Sequence, residues 1–151
     1  MSTPMNGILF KPIRYDSAEY REMLSFRNAY MRVPIGLCLF DEDLSREVFD
    51  HHIGVYRQNK LIGCCIITPE TDTRARMRQV VIAPDERGKG IGHQMMLYAE
   101  EEARSLAFSQ LVLDSRMTAV HFYQMLGYQA VGEPFMEVGL PHYRMEKQIR
   151  T

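Results

Sequence analysis

Cysteine is scarce in this 151-residue chain: Cys38, Cys64 and Cys65 are the whole set, and two of them are adjacent. An odd number with a neighbouring pair does not build a disulfide framework, so the sequence points to a reducing cytoplasm. Adjacent strand residues face opposite ways, which makes Cys64 and Cys65 two small core hydrophobes. Neither has a base beside it for a covalent route, and adjacent thiols lack ligand spacing, so no metal is expected. Long apolar runs are also missing. VPIGLCLF and LIGCCII are far too short to cross a bilayer, and the opening MSTPMNGILFKPIR lacks the charged start and apolar core of a secretory signal. Nor does one sign of charge prevail. The 18 basic and 19 acidic residues leave a net charge of −1, so no overall field draws nucleic acid or an anionic membrane, and any anion site is local. No internal repeat, low-complexity tract or linker is visible. The remainder, 46% apolar and 25% charged, is ordinary for a soluble globular protein, and residues 1–151 read as one domain.

Residues 7–13, GILFKPI, read as a first strand, with Pro12 marking an edge or a bend. Over residues 16–31 a helix is expected: Asp16 or Ser17 caps it, and Tyr20, Met23, Leu24, Arg27 and Tyr30 recur near helical spacing. Pro34 and Gly36 break the chain, and DEDLSREVFDHH is a short polar or helical segment. IGVYRQ and LIGCCIIT form a hairpin about a turn at Gln58-Asn59-Lys60. PETDTRA (69–75) reads as a polar loop and RMRQVVIA as an interior strand. From Gly90 to about residue 107, Ile91, Met95, Ala99, Ala103 and Leu106 give an amphipathic helix. QLVLDS is a short buried strand, and MTAVHFYQMLGY a helix stopped by a left-handed Gly127. YQAVGE, a loop through GLPH, and HYRMEKQI supply the last strands. The class is mixed α/β.

The stretch APDERGKGIGHQMM concentrates local penalties. Glycines 88, 90 and 92 open a helix, where each weakens it by roughly 1 kcal/mol, and Arg87 and Lys89 oppose the helix dipole. A Walker loop fails, because Gly90 rather than Ser or Thr follows Lys89. A dinucleotide fingerprint fails as well, since the sixth position is His93 or Met95, depending on the starting glycine. A pyrophosphate cradle fits: glycines let backbone N–H groups approach an anion at a helix start, and the bound phosphates reverse the sign of the Arg87 and Lys89 interactions. The alternative is a plain strand-to-helix turn with surface cations.

The order Arg87-x-x-Gly90-x-Gly92, after a strand and Pro84 and before a helix, resembles the acetyl-coenzyme A signature of the GNAT superfamily of N-acetyltransferases. HFYQMLGY is similar to the family's helix ending in Phe-Tyr-x-x-x-Gly-Tyr/Phe, so the likeness covers residues 76–132. The tail Glu133-x-Phe135-x-Glu137-x-Gly139-x-Pro141-His142 resembles the ElaA-like subgroup. The resemblance implies a central, mostly antiparallel mixed sheet of about six to seven strands flanked by about four helices. It also implies an acetyl-coenzyme A co-substrate. The backbone of Val80, Val81 and Ile82 would pair with the pantetheine arm like an added strand. The N–H groups of Arg87, Gly88, Lys89, Gly90, Ile91 and Gly92 would hold the pyrophosphate. Phe122 and Tyr123 would lie at the coenzyme. Where many members carry Asn, this chain has Arg116, which reaches a phosphate or is a solvated helix-start cation. Homodimers occur in the family.

Acyl transfer from a thioester needs a neutral amine, an oxyanion donor and a proton for the departing thiolate. By resemblance, Tyr123 supplies that proton. The alternative is that Phe122, Tyr123, Leu126 and Tyr128 are an aromatic core face. The base is open among His142, in the GLPH turn, Glu133 and Glu137, with His51 and His52, before the second strand, as further residues that could line the same cleft. The expected reaction moves an acetyl group to a primary amine of a small molecule or protein by direct attack in a ternary complex. Acceptor choice is expected to come from the first helices and the loop at 133–142. A non-catalytic coenzyme A-binding or regulatory module is the alternative.

Overall fold

A computed structural model describes residues 7–150; the reading of the first six residues as free of a signal lies outside them. Seven strands share one mixed sheet: β1 (Ile8–Ile13), β2 (His51–Arg57), β3 (Lys60–Pro69), β4 (Arg74–Ile82), β5 (Gln110–Arg116), β6 (Gln129–Glu137) and β7 (Leu140–Gln148). Their order is β1-β2-β3-β4-β5-β7-β6. Among the described residues the α-helices are α1 (Ala18–Met31), α2 (Ile91–Ser105) and α3 (Val120–Met125). The DEDLSREVFDHH segment, which would have made a fourth, holds short 3₁₀ turns and then enters β2 at His51. No described helix is long and apolar enough to cross a membrane.

The chain divides into two compact units. The first runs to Thr68 and takes in Arg78–Ala99. In it β1 is an edge strand, which is why Pro12 is tolerated. The Ser17 hydroxyl accepts from the Tyr20 N–H at 3.1 Å and starts α1. β2 and β3 pair from Arg57↔Lys60, leaving a two-residue turn in which Gln58 (φ 49°) and Asn59 (φ 66°) are both left-handed, as a tight hairpin requires. The core joins Ile13, Tyr20, Met23, Tyr56, Leu61, Cys64, Ile66 and Val81. Burial pushes the Cys64 thiol up to about 12 and Cys65 well above its usual range, so both are inert core residues, as expected. Gly63 lets β4 come close: a Cβ there would lie 2.6 Å from the Ile82 side chain and 3.2 Å from the Val81 carbonyl oxygen.

The second unit comprises Pro69–Met77 and the chain from Glu100 onward. The 69–75 loop is shorter than expected, because β3 continues to Pro69 and β4 already starts at Arg74. The polar look of that strand start comes from arginines held by carboxylates: Arg74 and Arg76 meet Glu70 at 3.0 and 2.6 Å, and Arg76 meets Asp114 at 2.9 Å. β4 and β5 are parallel, paired over Arg74↔Gln110 to Arg76↔Val112. α3 is shorter than the expected 117–128 helix, since Met117–Ala119 is a 3₁₀ turn. Gly127 (φ 96°) closes it as expected: the N–H groups of Tyr128 and Gly127 donate to the carbonyls of Tyr123 and Gln124, each at 3.0 Å. The expected loop through GLPH is instead a hairpin. β6 continues to Glu137, Val138 (φ 45°) and Gly139 (φ 77°) make a two-residue turn, and β7 begins at Leu140. A bulge falls between Val131 and Phe135, where Gly132 takes φ 76°.

Candidate active site

At the end of β4 the chain turns through Pro84–Glu86 and enters the glycine loop. Gly88 and Gly90 are left-handed (φ 77° and 80°), and α2 begins at once at Ile91. A Cβ added at Gly88 would meet nothing within 4 Å, so the loop borders open space. The first N–H groups of α2 have no partner inside the helix and point back toward the loop. Glu86 anchors it: Arg57 donates to its carboxylate at 3.1 and 2.9 Å, and Lys89 at 3.3 Å. Arg57 foremost, against the effect of burial, holds the Glu86 carboxyl below its ordinary range, and Lys89 adds to this. Lys89 is therefore shared with an anion already present. The Arg87 Nε donates to the Ile82 carbonyl at 3.2 Å, tying the loop to the strand before it. Val81 is buried, while Val80 and Ile82 are half-buried.

A buried polar network in this same unit escaped the sequence reading. Arg27, 1% exposed, forks onto Glu47 through Nη1 at 2.9 Å and Nη2 at 2.8 Å. The Tyr20 hydroxyl donates to the same carboxylate at 2.7 Å, and burial first, then Glu47, pushes its pKa up. Burial would raise the Glu47 carboxyl, but the Arg27 fork and the Tyr20 hydroxyl hold it low. His52 Nε2 lies 2.9 Å from the Glu47 carbonyl, and burial lowers the His52 pKa despite that partner. Of the two histidines at the start of β2, His52 is buried and bound to a backbone carbonyl, whereas His51 is exposed.

In the second unit, Tyr123 is buried on α3, its ring edge-on to Phe122 (5.0 Å) and to Tyr128 (5.9 Å). Tyr128 donates to Glu100 at 2.9 Å; Lys147 donates to Glu100 at 2.9 Å and to the Leu126 carbonyl at 2.7 Å. The end of α3 is thus fastened and the Tyr123 ring backed by a fixed neighbour. Arg116 is exposed at the end of β5, paired in register with His142. His142 does not sit in a turn. It lies inside β7, 4% exposed, stacked on Phe135 at 5.9 Å. Its Nδ1 donates to the Leu140 carbonyl at 2.9 Å, and its Nε2 lies 3.6 Å from a Glu137 carboxylate oxygen. Glu133 is exposed on the bulge of β6.

Residues 40–149 match the family model described as "Acetyltransferase (GNAT) domain", and the chain belongs to that family. A Streptococcus pyogenes protein named as an uncharacterized acetyltransferase is 33% identical over 64% of this chain and 66% of its own length. Spans matched in the curated relatives of Schizosaccharomyces pombe and Bacillus subtilis cover 61% and 74% of those proteins. Escherichia coli ElaA shares the fold, with a TM-score of 0.82 and 20% identity over 93% of this chain and 99% of that one. So does a GNAT acetyltransferase of Elizabethkingia anophelis solved with acetyl-CoA bound, with a TM-score of 0.71 and 16% identity over 95% and 99%.

Proposed function

We propose that residues 1–151 form an N-acetyltransferase domain that moves an acetyl group from acetyl-coenzyme A to a primary amine by direct attack while both are bound. The observation that supports this most is the loop at 87–92: two left-handed glycines, open space at Gly88, and a fifteen-residue helix starting directly after Gly90. Such a turn presents backbone N–H groups and positive potential to a diphosphate. Acetyl-coenzyme A, bound in the Elizabethkingia fold neighbour, supplies the activated acyl group.

The chain's residues do the rest. Residues 87–92 hold the diphosphate, with Arg87 and Lys89 adding charge and Glu86 keeping Lys89 in place. Val80, Val81 and Ile82 offer their backbone to the pantetheine arm, and Arg87 then yields the Ile82 carbonyl. Tyr123, beside Phe122, gives its phenolic proton to the departing thiolate, the role implied by the family resemblance. His142 is the better supported base. Its Nδ1 is fixed by the Leu140 carbonyl, Nε2 takes the proton of the amine, and Glu137 at 3.6 Å stabilises the imidazolium that forms. Glu133 lacks such an orienting arrangement, and Arg116 is an exposed candidate for a phosphate. The acceptor is a small-molecule or protein amine. A reducing cytoplasm as the setting is supported by three free thiols. Homodimerisation enters only through the family.

Thiol release from acetyl-coenzyme A over a broad panel of amines, alongside calorimetric titration with acetyl-coenzyme A and coenzyme A, tests the reading. Turnover with at least one amine is expected. Binding without any thiol release would make the chain a coenzyme-binding module, and no binding would remove the coenzyme site altogether.

A further inference from the structure

Midway along β4, Gln79 takes φ 54°, a left-handed backbone that a non-glycine residue adopts inside a strand only when its surroundings enforce it. The enforcing groups are visible. The Gln79 side-chain oxygen accepts from Arg27 Nε and from Arg32 Nη2, each at 3.3 Å. Neither guanidinium is free to drift. Arg27 is forked onto Glu47 at 2.9 and 2.8 Å, and Arg32 is held by Glu42 at 2.5 and 3.3 Å. A guanidinium is a rigid plane of donors, so a fork on one edge fixes where the other edge points. A buried ion pair is a poor source of stability compared with apolar packing, which leaves its geometric effect as the reason to look for. Two arginines, Arg27 in the C-terminal half of α1 and Arg32 just past its end, each pinned by a carboxylate, converge on one amide oxygen of a strained residue.

The three residues that follow Gln79 in the strand are those that would face the pantetheine arm, so the inference rests on the proposed function. We propose that Gln79, clamped by Arg27 and Arg32, is a positioning residue of the coenzyme-binding strand. The clamp keeps the left-handed turn, and the turn sets the direction in which Val80, Val81 and Ile82 present their N–H and carbonyl groups. Arg27, Glu47 and Arg32 act through Gln79 and touch no substrate.

The test compares Gln79→Ala, which loses the acceptor, with Gln79→Glu, which restores an acceptor opposite both guanidiniums. Amide hydrogen exchange at residues 80–82 and the KM and kcat for acetyl-coenzyme A are measured on the full chain. In Gln79→Ala, exchange at these amides and the KM should each rise by about tenfold, while Gln79→Glu should return both to within about twofold of the parent. Unchanged exchange and KM in Gln79→Ala would overturn the proposal. So would a Gln79→Glu variant as impaired as the alanine one, because the effect would then not run through the clamp. If the parent protein binds no acetyl-coenzyme A, the proposed function falls, while the exchange comparison still decides whether the clamp shapes the strand.

Discussion

A phenol serves as a proton donor in acyl transfer only when its ring is held still, and Tyr123 meets that condition through Phe122, Tyr128 and the fastened end of α3. Tyr123→Phe keeps the ring and its packing, so the fold should survive while kcat falls by about 10²-fold, the lower range for loss of a general acid. The loss should be smaller toward low pH, where solvent protonates the leaving thiolate more readily. Turnover equal to the parent at every pH would strip Tyr123 of this role. Its place on a short helix closed by Gly127 was legible because HFYQMLGY is a compact motif. Arg27 was half legible. It stood among the periodic positions Tyr20, Met23, Leu24, Arg27 and Tyr30, and it is indeed on the buried face. Its partner could not be read, since Glu47 lies 20 residues away in a segment with no periodic signal. A charge at a core position of a helix was the available clue.

At the level of elements, the proposed role of the glycine loop runs through its backbone, so the informative substitution is one that alters backbone rather than charge. Gly90 takes φ 80°, and a β-branched side chain there disfavours the left-handed form by at least about 1–2 kcal/mol. Gly90→Val should weaken acetyl-coenzyme A at least about tenfold by calorimetry, a loss of about 1.4 kcal/mol. Parent-like affinity would place the diphosphate elsewhere. The loop and the β2–β3 hairpin were readable because each depends on a few adjacent residues with special φ values. The β6–β7 hairpin was misread for the same kind of reason. The segment through GLPH reads as a loop, whereas Gly139 forms a two-residue turn with Val138, Pro141 already lies in β7, and Gly132 and Pro134 sit at a bulge of β6. Consequently His142, assigned to a turn, is a buried strand residue with an orienting carbonyl, and residues 133–142 are not a loop at all.

For the whole molecule, strand order was beyond the sequence, because which strands become neighbours depends on contacts between distant segments, as when β7 inserts between β5 and β6. Burial of ionisable groups in that fold makes stability pH-dependent. His52 is buried, and its folded pKa lies below its ordinary 6.5. As pH falls through 6.5 the unfolded chain takes up a proton that the folded one refuses, so the stability present above 6.5 declines until the folded value is reached. Glu47 works in the same direction lower down. Its folded pKa lies below the ordinary 4.5, so its contribution, complete above 4.5, disappears as pH drops through the folded value. Each proton taken up preferentially by the unfolded chain lowers stability by about 1.4 kcal/mol per pH unit. Chemical denaturation between pH 7.5 and 4 should therefore show one decline beginning near 6.5 and a second below 4.5. His52→Gln, which can still donate to the Glu47 carbonyl without titrating, should abolish the first decline and leave the second. A first decline that persists in this variant would assign it to another group.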